Sequence, residues 1–195
     1  MELWHAWACP QCMRVRAALA EKGIPYRSRE LQRGAQPPDL LGRNPRGSLP
    51  MLVDGTTVLA EPLEILEYLC TRWPEPQLMP EPSGRDAVLA AYHRVNALFT
   101  PFLPSIDRGT PEERVQALGE VRRSMEQLDA EVIVGGFLLP EFSIADLALA
   151  SFLARLPRDW RPAQLGFARL AGWERTVMLR PSVREQMGPA LALAG

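Results

Sequence analysis

The stretch "HAWACPQCMRVRAALAEKGIPY", residues 5–26, decides how the rest of the chain is read. A short strand over Glu2–Trp7 leads into it. Val15, Ala18 and Leu19 then recur at helical spacing across Cys9–Glu21, and Gly23 closes that helix. Pro10 falls at the first helical position, where its missing N–H costs nothing. Cys9 is thereby left at the positive end of the helix dipole, among free N–H groups. That setting favours the thiolate, with pKa values of about 3.5–7.5 typical of such cysteines. Arg14 adds positive charge nearby, and Cys12 lies one turn further along the same face, within reach of Cys9 for a disulfide or a resolving attack.

A redox pair, half of a metal site and a catalytic thiol with an idle neighbour all use this spacing. A structural zinc site takes four ligands, and beyond the pair the chain offers only His5 and His93, with no second C-x-x-C. No metal is therefore expected. Cys9 is the candidate nucleophile and Cys12 its candidate catalytic partner, with a resolving role for Cys12 left open. Cys70 falls mid-helix beside Leu66 and Leu69 and reads as a small buried hydrophobe. No His–Asp arrangement supports a hydrolase triad.

Working outward, Pro25–Leu31 reads as a second strand, and residues 33–47, rich in Gly, Pro and Arg, as a loop with a short helix. Leu49–Val53 is a third strand, Asp54-Gly55 a hairpin turn and Thr56–Ala60 the returning strand. Pro62 opens the next helix, with Leu63, Leu66 and Leu69 on one face. Prolines crowd "WPEPQLMPEPS", residues 73–83, and mark a domain boundary. Beyond it the pattern is helical over Gly84–Leu103, Pro111–Val134, Ser143–Leu156 and Gly166–Leu179, and Ser143 with Asp146 forms a capping box. The expected fold is an α/β N-terminal domain (βαβ-ββα, residues 1–73), a linker (74–84) and an all-helical C-terminal domain (85–195).

The 195 residues carry a net charge of −1, with 47% hydrophobic and 23% charged residues. No global field draws such a chain to nucleic acid or a membrane surface. No run approaches the roughly 18 apolar residues of a membrane span, and no leader follows Glu2, so a cytoplasmic location is the expectation.

A second set of residues faces the same chemistry. In "SLPMLVDG" Pro50 stands at the first strand position, and a cis Leu49-Pro50 turn leaves the Leu49 N–H and C=O free to bond a peptide laid across them. In "LAEPLEILEYL" Glu61 precedes a helix start, where its carboxylate can hold an ammonium and the helix N-terminus a carboxylate.

Strand, C-P-x-C, helix, N-P-x-G-x-L-P, D-G, an acid opening a helix, a proline-rich linker and "FSIADLALASFLARL" together resemble the cytosolic glutathione transferase family over essentially the whole chain. The resemblance implies a thioredoxin-like N-terminal domain, a helical C-terminal domain and a homodimer. It implies glutathione as co-substrate, with Cys9 forming mixed disulfides, the Leu49 backbone pairing with the cysteinyl unit beside cis Pro50, and Glu61 near the γ-glutamyl group. The family's serine after that acid is here Pro62, which brings neither hydroxyl nor N–H; the Leu63 N–H is the available substitute. The implied activity is thiol transfer, reduction or conjugation of a small hydrophobic or disulfide substrate. Trp7, Tyr92, Asn96 and Phe99 are the candidate lining of its pocket.

The linker "LCTRWPEPQLMP" and "SFLARLP" are also similar to the stringent starvation protein A family, which has the transferase fold, binds RNA polymerase and lacks the chemistry. That family has Pro-His-Pro where this chain has Pro74-Glu75-Pro76, and it lacks the C-P-x-C. It implies the alternative of a non-catalytic binding protein.

Overall fold

The computed structural model describes residues 1–32, 34–80, 84–132 and 136–193. Its first half holds strands β1 (Glu2–His5), β2 (Arg27–Glu30), β3 (Met51–Asp54) and β4 (Thr57–Leu59), with helices α1 (Pro10–Glu21), α2 (Pro38–Arg43) and α3 (Pro62–Arg72). The sheet order is β2-β1-β3-β4. β1 runs parallel to β2, with Leu3 opposite Ser28, and antiparallel to β3, with Leu3 opposite Leu52. β3 and β4 pair antiparallel through the Asp54–Thr57 hairpin, where Gly55 adopts φ +60°, a conformation that costs glycine nothing. This is the thioredoxin-like half expected from the alternation of elements.

The remainder is helical: α4 (Arg85–Phe99), α5 (Leu103–Arg108), α6 (Pro111–Glu131), α7 (Ile144–Leu153), α8 (Ala168–Met178) and α9 (Pro181–Leu193). The single helix expected over Gly84–Leu103 is broken. Pro101 and Pro104 remove backbone donors, so the chain passes through a 3₁₀ turn at Thr100–Phe102 and restarts as α5. The helix expected to reach Val134 ends at Glu131, and residues 133 and 134 lie outside the described residues. α9 is an addition to the expected helices, opened by Pro181. Among the described residues no helix is long and apolar enough to cross a membrane.

α1 is the spine of the molecule. Every residue from Cys12 to Leu19 is buried, because α1 packs on α3 beside the sheet and on α7 and α9 from the helical half. One continuous apolar core follows, running from Leu3, Val15 and Leu66 to Leu147, Phe152 and Trp173. A smaller cluster of Trp4, Leu40, Met51 and Val53 fills the opposite face of the sheet.

α7 is buried along its whole length, and its start is fixed as the sequence indicates. Ser143 Oγ accepts from the Ala145 N–H at 3.3 Å, and Asp146 Oδ2 accepts from the Ser143 N–H at 3.0 Å. Asp146 Oδ1 accepts from Trp173 Nε1 at 2.7 Å and from the Leu138 N–H at 2.9 Å, tying α7 to α8 and the preceding loop. Burial pushes this carboxyl above the usual range, against the pull of its donors. An Asp146→Ala substitution leaves those donors unmet. It should cost about 3–5 kcal/mol and lower the melting temperature by roughly 6–20 °C. Thermal denaturation followed by circular dichroism checks this.

Candidate functional site

Cys9 is the N-cap of α1, extended at φ −85° and ψ 119°, with its carbonyl accepting from the Met13 N–H at 2.9 Å. Pro10 brings no N–H, so the first free amides of the helix belong to Gln11 and Cys12. Both bond the Cys9 sulfur. The Cys12 thiol donates to it as well, and that bond is the largest influence drawing the Cys9 pKa down to about 6; burial opposes it, and the Arg14 charge adds a smaller pull. Cys9 is half-buried and Cys12 buried. Burial, then the hydrogen bond it gives Cys9, pushes the Cys12 thiol well up. The pair is thus divided into a half-buried thiolate and a buried, protonated partner, the division that a nucleophile and a resolving thiol need. At Cys70, half-buried in α3, burial raises the thiol pKa.

The histidines do not serve Cys9 as bases. His5 is buried, its Nδ1 facing Arg16 Nη1 at 3.3 Å and its Nε2 facing Ser28 Oγ at 2.8 Å. Arg16 can only donate, so the ring proton sits on Nε2. Burial, with Arg16 beside it, takes the His5 pKa down to about 4, and the ring is neutral at pH 7. Its role is structural. His93 is exposed on α4. Among the described residues no group of three His, Cys, Asp or Glu side chains is placed to hold a metal.

A groove of about 350 Å³ opens between the sheet half and α4. Leu49, Glu61, Pro62 and Leu63 line one wall, Tyr92 and Asn96 the other, and Gln11, two residues past Cys9, lies between them. The Leu49-Pro50 peptide is cis, and the Leu49 N–H and C=O have no hydrogen-bond partner among the described residues. Glu61 is the N-cap of α3 and Pro62 its first residue. The Leu63 and Glu64 N–H groups are consequently unbonded among the described residues, at the positive end of the helix. Six of the residues expected to bind are therefore brought to one groove.

Pro50, Trp7 and Phe99 are not, and neither Cys9 nor Cys12 is among the residues that line it. Phe99 is 2% exposed and stacks on Phe152 with ring centroids 5.8 Å apart, because its face of α4 points to the core rather than the groove. Trp7 lies under the Arg16 guanidinium, 4.3 Å from its ring, and its carbonyl accepts from Arg16 Nη2 at 3.0 Å, away from the groove lining. Sequence reasoning passed over Gln11 and His93, which do line it. It also missed Arg46, whose Nη1 meets Glu61 Oε1 at 3.0 Å. Both members of that pair are exposed, so it orients Glu61 more than it stabilises the fold. "NPRGSLP" held the signal: a cation just ahead of the cis turn.

The family model for the glutathione S-transferase N-terminal domain matches residues 8–72. A stringent starvation protein A homolog from Pasteurella multocida is 35% identical over 158 residues, which span 80% of this chain and 71% of that protein. A probable glutathione S-transferase, GSTU1, from Oryza sativa is 31% identical over 192 residues, 87% of this chain and 81% of its own. The crystal structure of glutathione transferase Omega 3C from Trametes versicolor superposes with a TM-score of 0.77 at 25% identity, over 95% of this chain and 89% of that one. The chain belongs to the cytosolic glutathione transferase family.

The state of Cys9 is measurable directly. Its alkylation by iodoacetamide, followed by mass spectrometry of the Cys9 peptide, should rise through a midpoint near pH 6, since only the deprotonated sulfur attacks. In Cys12→Ala the thiolate loses its principal donor, and the midpoint should move up, towards the value of an ordinary cysteine.

Proposed function

We propose that the protein is a glutathione-dependent thiol enzyme with Cys9 as nucleophile. The observation that carries this reading is the position of Cys9 as the N-cap of α1, where the Cys12 thiol and the Gln11 and Cys12 amides face its sulfur and draw its pKa down to about 6. Gln11, two residues further on, opens into the groove that holds the free Leu49 backbone. The Cys9 sulfur attacks the glutathionyl sulfur of a mixed disulfide, and the substrate leaves as a thiolate that takes a proton from water. A second glutathione thiolate then attacks the glutathionyl sulfur, releasing oxidised glutathione and the Cys9 thiolate; alternatively Cys12, once deprotonated, attacks the Cys9 sulfur, forming the Cys9–Cys12 disulfide and releasing reduced glutathione. In the second route the Cys9–Cys12 disulfide is reduced by further glutathione.

Glutathione lies with its cysteinyl unit paired to Leu49 and its γ-glutamyl end at Glu61 and the opening of α3. Pro62 brings neither of the two donors of the family's serine there, a loss of about 1.5–3 kcal/mol for each bond to a carboxylate; the free Leu63 and Glu64 amides offset it. The same reading gives residues 1–73 as the glutathione-binding domain, 74–84 as a linker and 85–195 as the helical domain. It makes the active form a cytoplasmic homodimer.

A second reading rests on the 35% identity to a stringent starvation protein A homolog: a binding protein with this fold, meeting RNA polymerase or another protein through the Pro74–Pro80 surface. Calorimetric titration of Cys9→Ser with reduced glutathione separates the two. A dissociation constant between micromolar and low millimolar supports the enzyme. No heat up to about 10 mM, a binding free energy of about −2.7 kcal/mol or weaker, overturns it in favour of the second reading.

A further inference from the structure

Behind the groove wall formed by α4 sits a buried cation. Arg14 is 0% exposed and forms no ion pair with a carboxylate among the described residues. Its guanidinium lies 5.4 Å from the Tyr92 ring centre and 4.8 Å from that of Phe152. Nη1 donates to Asn96 Oδ1 at 2.9 Å and to Tyr92 Oη at 3.1 Å, and Nη2 donates to Ser151 Oγ at 3.1 Å. A guanidinium only donates, so each of these oxygens is an acceptor.

The protons of the three partners can then be followed. Asn96 Nδ2 donates to the Tyr92 carbonyl at 2.7 Å, and Ser151 Oγ donates to the Ala148 carbonyl at 2.7 Å. The Tyr92 hydroxyl accepts from Arg14 and has no acceptor for its own proton among the described residues. Tyr92 and Asn96 both line the groove. Asn96 is oriented by a bond at each end and keeps its second Nδ2 hydrogen, and Tyr92 keeps the proton of a hydroxyl that Arg14 polarises. A hydroxyl that accepts from a cation is a stronger donor in turn.

We infer that Tyr92, held by Arg14, is a specificity-determining hydrogen-bond donor of the groove, and that it selects acceptor substrates bearing an anionic oxygen such as a carboxylate. The unpaired charge of Arg14 behind the tyrosine favours an anion over a neutral acceptor at that place. This narrows the small hydrophobic or disulfide substrate implied by family resemblance to one with an acidic group. It rests on Cys9 being the reacting sulfur.

The test uses two aryl disulfides that react by one mechanism, the Cys9 thiolate attacking one sulfur and an aryl thiolate leaving. Dithiobis(nitrobenzoate) carries carboxylates and dithiodipyridine carries none. With Cys70→Ala as background, Tyr92→Phe removes a single oxygen and no charge. It should slow the carboxylate reagent about 10-fold or more while changing the neutral one less than about twofold, the loss expected for a bond to a charged group. Equal slowing of both reagents, or no change in either, overturns the inference. Slow reaction of unaltered Tyr92 protein with both reagents overturns the thiolate itself. Titrating glutathione into Cys9→Ser with and without Tyr92→Phe locates the anion. An unchanged dissociation constant assigns it to the acceptor, and a matching loss assigns it to glutathione and overturns the inference.

Discussion

Arg14 and Arg16 lie two residues apart in α1, both buried, and neither meets a carboxylate among the described residues. Burying an ion costs several kcal/mol unless its donors are satisfied. Arg14 Nε has no partner among the described residues; the other donors of both arginines meet neutral acceptors, and aromatic faces cover both guanidiniums. Arg14 reaches α4 and α7. Arg16 Nε donates to Gln186 Oε1 of α9 at 2.9 Å, and its amino groups hold the carbonyls of Ala6 at 3.3 Å and Trp7 at 3.0 Å, just ahead of Cys9. The loop carrying the cysteine is thereby anchored to the helical half, and the two halves share one core because α1 belongs to both.

Reactivity and folding are consequently difficult to separate in this protein. The same helix that supplies amides and a thiol to the Cys9 sulfur also buries the guanidiniums that hold the halves together. The Arg14 charge offsets part of the desolvation that opposes a thiolate at Cys9, and the Arg16 charge acts in the same direction on Cys12. Lys22, the only lysine of the chain, extends the pattern at the other end of α1. Its Nζ donates to the carbonyls of Trp73 at 2.7 Å and Pro76 at 2.8 Å, fastening the proline-rich segment to the spine.

Local chemistry was legible in the sequence. Pro10 at a helix start, the Leu49-Pro50 turn, Asp54-Gly55 and the Ser143–Asp146 box each depend on neighbours a few residues away, and each is where the motif places it. The Thr110–Glu113 capping box was equally local and was passed over. Long-range pairing was not legible. Arg14 finds Asn96 and Ser151, 82 and 137 residues along the chain, and no periodicity marks those partners. Phe99 was misplaced for the same reason: spacing puts it on a face of α4, and only the packing of α7 shows that the face is internal. The groove was found in outline because its walls come from motifs, while Gln11 and Arg46 entered through three-dimensional neighbours.

The central claim is that Cys9 carries the chemistry with Cys12 in reserve. Intact-mass spectrometry of the protein mixed with oxidised glutathione near pH 6.5 tests it most directly. The account predicts one glutathionyl group on Cys9 that accumulates in Cys12→Ser and is absent from Cys9→Ser. An unmodified protein, or a group found on Cys70 instead, would contradict it.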